Sequence, residues 1–485
     1  MTDIKYTSTR DKSVCVDGAT AILDGISADG GLFVPVSLPK LEVKDFCGLD
    51  FVKRCDKLLS AFFEFDTSGV SAAAYKDFED DPAPVVKLDD NMFMLELWHG
   101  KSHASKDISL CALPLLIARA KKAKGEDSKT LALVAADGDT CKAALESFKD
   151  TDGAQACAFY SADGVSEMQR FELQTQSGDN VCAVGVNADL DKMKAAVRAA
   201  ISDESLRTKL AADNIKVTPV DSINFGSVVP QIAYYFSAYA DLVDSGEINV
   251  GDEIDFVVPT GNFGNALAGY YAKKMGVPIN RLVCATNENK VLCEFMDTGE
   301  YDINRQLFKT DSPALDVLIA SDIERLLFDL CGDDGLIKER MASLEASGRY
   351  SITQDEIDKI HAIFACDFAD DDETDDAIFD TFDEYGYVVD TYTAIGCVVA
   401  TKREYVRPTV IAATVNPYKT APAVLRALGE RAEEKPTLDT FKQLEELSAM
   451  DIPQSLADAF TAPVRFTEVI EPDKIIEYLQ LKINN

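Results

Sequence analysis

The sequence predicts an α/β protein: two α/β domains with parallel-rich sheets, preceded by a smaller N-terminal subdomain. Three observations predict it. At 485 residues the chain is too long for one hydrophobic core and suits two or three domains. Short apolar, β-branched runs alternate with helix-compatible segments, the pattern of parallel strands covered on both faces. One such run, residues 254–258, passes through a loop with two glycines into an apolar-periodic segment, a strand–loop–helix passage.

In chain order, an opening segment over residues 1–85 carries the turn Asp29-Gly30-Gly31 before Leu32-Phe33-Val34-Pro35 and ends in the breaker Asp80-Asp81-Pro82-Ala83-Pro84. Residues 86–205 read as a smaller α/β domain, with strands at 130–135 and 181–186 and a helix at 141–148. Residues 206–455 read as a larger one. It has a helix at 225–239, strands at 254–258, 282–285 and 409–413, a loop with Thr414 and Pro417, and a helix from Ala421. Residues 456–485 form a C-terminal extension. Two parallel sheets place a ligand between them.

Composition narrows the class. Hydrophobic residues make up 47% of the chain and mean hydropathy is −0.06, which suits a globular protein with ample core. No run of eighteen apolar residues occurs, so no membrane span is expected. Met1-Thr2-Asp3-Ile4-Lys5 lacks the features of a secretory leader, so a cytoplasmic location is expected. The twelve cysteines are scattered singly and read as reduced thiols, mostly small core residues. The 48 basic and 83 acidic residues leave a net charge of −35, which repels nucleic acid and anionic membrane and points to a small-molecule partner. An acidic run at 367–376 lacks the glycine and glutamate spacing of a calcium loop and reads as a solvated helix start with Thr374 as N-cap. No metal site is expected.

Two segments carry candidate chemistry. Gly261-Asn262-Phe263-Gly264-Asn265 has two glycines three apart, each followed by Asn. It reads either as a loop whose backbone N–H groups converge on a phosphate at a helix start, or as an ordinary glycine-rich turn. It has neither the Gly-Lys-Ser/Thr ending of a nucleotide loop nor dinucleotide spacing. The second is Trp98-His99-Gly100-Lys101-Ser102-His103-Ala104-Ser105-Lys106-Asp107. Lys106 opens a helix after two small residues. Positive dipole ends there favour the neutral amine that Schiff-base chemistry needs, while the alternative is a solvent-facing first-turn lysine. The two histidines read as structural or as polar wall.

An imine-forming lysine together with an amide-lined phosphate cradle is what pyridoxal phosphate requires. With both present, the chain resembles the threonine synthase family of fold-type-II (tryptophan synthase β-like) pyridoxal phosphate enzymes over nearly its whole length. Tyr6-Thr7-Ser8-Thr9-Arg10 and Asp29 to Pro35 resemble the family's opening. His99-Gly100 and Lys106-Asp107 match its HGPTxAFKD segment, and Gly138-Asp139-Thr140 its SGDTG loop. Ser222-Ile223-Asn224, Gly261 to Gly264, Ala285-Thr286-Asn287-Glu288-Asn289, Ser312-Pro313-Ala314-Leu315-Asp316 and Glu324-Arg325-Leu326-Leu327-Phe328 follow in family order. Thr414, Pro417 and Lys419 fit the late TAHPAKF segment.

The resemblance implies a lyase of threonine biosynthesis that turns O-phosphohomoserine and water into threonine and phosphate, as a monomer or homodimer. It implies that Lys106 bonds the pyridoxal 5'-phosphate aldehyde and moves protons. Gly261, Asn262, Phe263, Gly264 and Asn265 would hold the cofactor phosphate and Thr414 the pyridine nitrogen. Asp139 and Thr140 would face the substrate. Several matched motifs depart from the family. Lys101-Ser102 replace Pro-Thr, Ser105 replaces Phe, and Asp137 and Cys141 flank Gly138-Asp139-Thr140. Ser227 stands where an Arg is usual. Tyr392 lies in place of His within Asp390-Thr391-Tyr392-Thr393, and Val415-Asn416 replace Ala-His. These changes fall on the substrate side, where Lys101 is expected to replace the cation lost at Ser227 and Asp137 to repel a phosphate. Two alternatives therefore stand beside the main reading: an elimination or β-replacement enzyme for another amino acid, and a cofactor-binding paralogue without turnover.

Overall fold

The N-terminal segment folds into an antiparallel sheet in which β1 (Lys5–Ser8) lies between β2 (Asp11–Asp17) and β3 (Phe33–Pro35). The computed structural model describes residues 4–78 and 81–482. Met1, Thr2, Asp3 and Asp80, on which the leader and breaker readings partly rested, lie outside them. The predicted turn before β3 forms with Gly30 at φ 81°, a left-handed geometry that glycine adopts without strain, while Asp29 accepts from Ser8 Oγ at 2.9 Å.

Along the chain, β4 (Val85–Lys87) and β5 (Met92–Glu96) pair antiparallel. The parallel strands β6 (Lys129–Ala135), β7 (Ala154–Ser161), β8 (Val181–Val186) and β9 (Ile215–Pro219) follow. Next come β10 (Ile254–Pro259), β11 (Ile279–Thr286), the short hairpin of β12 (Glu300–Asp302) with β13 (Arg349–Ser351), β14 (Phe364–Phe368), β15 (Thr409–Ala413) and finally β16 (Val469–Ile470). They assemble into a six-stranded sheet ordered β14-β11-β10-β15-β5-β4 and a five-stranded sheet ordered β16-β8-β7-β6-β9. Only the edge pair β4–β5 runs antiparallel in the larger sheet. Strands buried on both faces need apolar residues throughout, which is why these runs do not alternate.

Most predicted elements form with longer bounds. The helix expected at 225–239 runs Phe225–Asp244 and is buried almost throughout, consistent with its all-round apolar composition. Two expectations are corrected, and the sheets add a finding on the domain limits. The helix after the acidic run, Asp371–Tyr385, is capped by Asp370 in a reciprocal pair with Glu373; Thr374 sits inside the first turn, its hydroxyl turned to the Asp370 carbonyl. The cysteines are not all thiols: Cys293 and Cys366 form a disulfide because a helix and β14 pack side by side, bringing their Cα atoms to 5.0 Å across 73 residues of sequence. Sheet membership also crosses the expected limits between 86–205 and 206–455. β5 belongs to the larger sheet and β9 to the smaller. Within residues 456–485, expected as a C-terminal extension, β16 lies at the edge of the smaller sheet alongside β8.

Candidate active site

The site follows from strand order. β10, β15 and β5 are parallel neighbours, with Val257 opposite Ile411 and Ala413 opposite Glu96. Their carboxyl ends therefore release three loops side by side: the glycine loop after β10, Thr414 after β15, and the Lys106 segment after β5. Ligands in parallel sheets lie at such strand ends. The last two loops are stitched together. Ser105 N–H donates to the Thr414 carbonyl at 2.7 Å, and Asn416 N–H donates to the His103 carbonyl at 3.0 Å across an Ala104–Val415 bridge. Lys106 is half-buried and opens the helix Lys106–Leu110. Among the described residues, its Nζ and the Thr414 hydroxyl have no hydrogen-bond or ion-pair partner.

The glycine loop leads into the helix Gly264–Met275, with Phe263 buried in a left-handed turn at φ 70°. Among the described residues the N–H groups of Gly261, Asn262, Phe263, Gly264 and Asn265 find no protein acceptor. Unpaired amides at a helix start form an anion cradle. The glycines are demanded from behind. A Cβ on Gly261 would lie 2.9 Å from the Ala314 carbonyl, and one on Gly264 would lie 2.9 Å from Asp322 Oδ2. The asparagine side chains brace the loop: Asn265 Oδ1 accepts from the Tyr234 and Tyr235 hydroxyls at 2.6 and 2.7 Å. Asn262 Nδ2 donates to Ser222 Oγ and Asp322 Oδ2 at 2.7 and 3.1 Å. Lys194, from the helix Leu190–Ser202, reaches Asn262 Oδ1 at 3.4 Å, a contact the sequence did not signal.

Beside the Thr414 segment opens a cavity of about 480 Å³, walled in part by Asp139, Tyr392, Val415 and Lys419. Lys419 is almost wholly buried and meets Asp139 Oδ1 at 2.8 Å, Glu172 Oε2 at 2.7 Å and the Ser102 carbonyl at 2.9 Å. Burial works against the Lys419 ammonium, but the two carboxylates outweigh it and hold the lysine charged well above its ordinary range. Burial, partly offset by Lys419, pushes Glu172 upward. Asp139 is also held by Gln169 Nε2 at 2.8 Å, whereas Glu172 Oε1 has no partner among the described residues. The Tyr392 hydroxyl accepts from the Ala314 N–H at 3.3 Å.

Of the substrate residues expected from sequence, Asp139 lines this cavity; Lys101, Ser102, Thr140 and Ser227 do not. Lys101, expected to replace the missing cation, is half-exposed and pairs with Asp77 at 2.8 Å. Ser227 turns its hydroxyl to the Asp221 and Asn224 carbonyls at 2.6 and 2.8 Å within the start of its helix. Asp137 does not stand free on the loop. It caps the helix Gly138–Phe148, accepting from Thr140 N–H and Oγ1 at 3.0 and 2.7 Å, which also occupies the Thr140 hydroxyl. Ser102 gives its N–H to Asp107 Oδ2 at 2.7 Å; burial raises Asp107 to about 6. The histidines are structural. His103 contacts Ser455 Oγ at 2.6 Å and is pushed down to about 3 by burial and by Lys419, so it is neutral. His99 pairs with Glu96 at 2.8 Å. Glu172 went unnoticed because a lone glutamate on a polar helix resembles a surface charge.

Comparison with known proteins agrees with this geometry. Residues 5–73 match the family model described as threonine synthase N terminus. The chain is 35% identical over 431 residues to threonine synthase-like 1 from Homo sapiens, covering 84% of this chain and 57% of that one. It thus spans little more than half the length of that relative. It is 31% identical over 436 residues to threonine synthase from Pseudomonas aeruginosa, covering 87% and 90% of the two chains. The fold superimposes on a pyridoxal phosphate-bound threonine synthase from Brucella melitensis with a TM-score of 0.84 and 30% identity, covering 99% of each. With its lysine, hydroxyl and amide loop gathered on three adjacent strands and a full-length relative above 30% identity, the chain belongs to the threonine synthase family.

Proposed function

We propose that the chain uses pyridoxal 5'-phosphate to convert O-phosphohomoserine and water to threonine and phosphate, as a cytoplasmic monomer or homodimer. The observation that carries this reading is the convergence of Lys106, Thr414 and the 261–265 amides at the ends of β5, β15 and β10. The residues fit the cofactor: an amine, a hydroxyl and a set of N–H groups share one edge without partners among the described residues. When bound, the cofactor supplies an electron sink for negative charge developing on substrate carbon.

The chain's own residues do the rest. The 261–265 amides and the dipole of the following helix hold the phosphate without a cation in the loop. Thr414 would offer its hydroxyl to the pyridine nitrogen, a neutral partner in place of a carboxylate. Lys106 Nζ would hold the cofactor at its aldehyde and would serve as the proton carrier at the substrate Cα and Cβ. Asp139, fixed by Lys419 and Gln169, forms part of the wall on the substrate side. A second reading, elimination or β-replacement on an uncharged amino acid, is favoured by one observation. The cations lining the cavity all have protein partners: Lys419 as above, Arg426 on Asp311, Arg170 near Glu167 and Lys309 on the Asp163 carbonyl.

The purified holoenzyme should release phosphate and threonine from O-phosphohomoserine in equal amounts. Borohydride reduction should attach the cofactor to the peptide containing Lys106. Lys106→Ala should lower turnover on the order of a thousandfold or more. A label on another lysine overturns the site. Absence of phosphate release, with activity on another amino acid, moves the assignment to the second reading.

A further inference from the structure

We propose that Glu172 is a specificity-determining residue of the substrate cavity: by sharing Lys419 with Asp139, it cancels the buried ammonium that an anionic leaving group would otherwise meet. The inference rests on the reading of the cavity as the substrate site. An ammonium has three N–H donors. Lys419 donates to the Ser102 carbonyl at 2.9 Å and forms ion pairs with Asp139 at 2.8 Å and Glu172 at 2.7 Å, so its charge is already engaged by two carboxylates. Two carboxylates share this one ammonium, in a region where Coulomb forces are weakly screened. An incoming phosphate therefore meets a net negative wall. The two carboxylates are not equivalent. Asp139 is anchored a second time by Gln169. Glu172 has one oxygen on Lys419 and the other without a hydrogen-bond partner among the described residues. Glu172 acts on the ligand through Lys419 and is a positioning residue.

The experiment uses the holoenzyme, with the cofactor's own phosphate already filling the 261–265 cradle, and compares wild type with Glu172→Gln, which keeps shape and removes charge. Inorganic phosphate binding is read by calorimetry and O-phosphohomoserine turnover by phosphate release. Glu172→Gln should bind inorganic phosphate at least tenfold more tightly. It should lower KM for O-phosphohomoserine by a similar factor, with kcat within about threefold of wild type. Glu172→Asp, which retains the charge, should behave as wild type. Unchanged phosphate affinity in a folded Glu172→Gln protein overturns the proposal. So does wild-type phosphate binding tighter than about 1 mM, a measurement that needs no variant. If wild type does not turn over O-phosphohomoserine, the functional reading fails, and the calorimetric comparison still decides the role of Glu172.

Discussion

Asp390 is buried at the start of the helix Thr391–Lys402 and accepts from the N–H groups of Tyr392 and Thr393 at 2.8 and 3.2 Å and from the Thr393 hydroxyl. Burial nevertheless raises it from 3.8 to about 7, against the downward pull of those bonds. Below pH 4 the carboxyl is protonated in both folded and unfolded chains. As pH rises the unfolded chain ionises first, so the favourable contribution of Asp390 falls between about pH 4 and 7 and is flat above. Asp390→Asn keeps a good N-cap and does not titrate. Its melting temperature relative to wild type should therefore climb from pH 4 to 7 and level off. The upper limit of the swing is about 4 kcal/mol. A difference that stays constant over that range would show that the group is not ionising there. At this scale the Lys106, Thr414 and glycine-loop positions were legible because each lies in a short local pattern. Lys101 turns to Asp77 and Ser227 to the start of its own helix, outside the cavity lining, because sequence proximity to Lys106, or to a motif, does not say which way a side chain turns.

The glycine loop belongs to the scale of the element. β10 is locked between β11 and β15, so the chain beyond Pro259 must turn where the 314–315 backbone and Asp322 already stand. Asp322 cannot yield cheaply, being buried and paired with Arg325 and Asn262. Gly261→Val or Gly264→Val should push the loop amides out of line. Each should weaken pyridoxal phosphate binding at least tenfold, about 1.4 kcal/mol or more. Absorbance titration of the apoprotein measures this, with circular dichroism as the check on fold. Full affinity in both variants would place the cofactor phosphate elsewhere. The two glycines stand out in the sequence, but the reason they leave no room for a Cβ is hidden there, because the obstacle comes from residues more than fifty positions further along.

For the molecule as a whole, the C-terminus closes the smaller sheet. β16 pairs with β8 through Gly185 N–H to the Glu468 carbonyl at 3.0 Å and Asn187 N–H to the Ile470 carbonyl at 2.9 Å. Ile475 and Leu479 are buried, and Tyr478 packs edge-on to Phe159 on β7. Exposing the two aliphatic side chains costs about 1.5–3 kcal/mol each, and a bared parallel edge invites association. Truncation after Phe466 should lower the melting temperature by several degrees and raise light scattering on heating. An unchanged melt would mean that the smaller sheet stands without its last strand. The division we propose follows the sheets rather than the chain: the smaller domain takes β6 to β9 with β16, and the larger takes β4, β5, β10, β11, β14 and β15.

By itself the sequence determined the α/β class and the family and named the candidate cofactor-side residues, because apolar periodicity, glycine placement and short motifs are local properties of a chain. Only the tertiary structure decided which strands share a sheet, that Cys293 lies against Cys366, and that Lys419 is held by Asp139 and Glu172. Each of these joins residues far apart in sequence. Strand order and side-chain direction, which create such contacts, are set by packing of the whole core and leave no mark on the neighbouring residues.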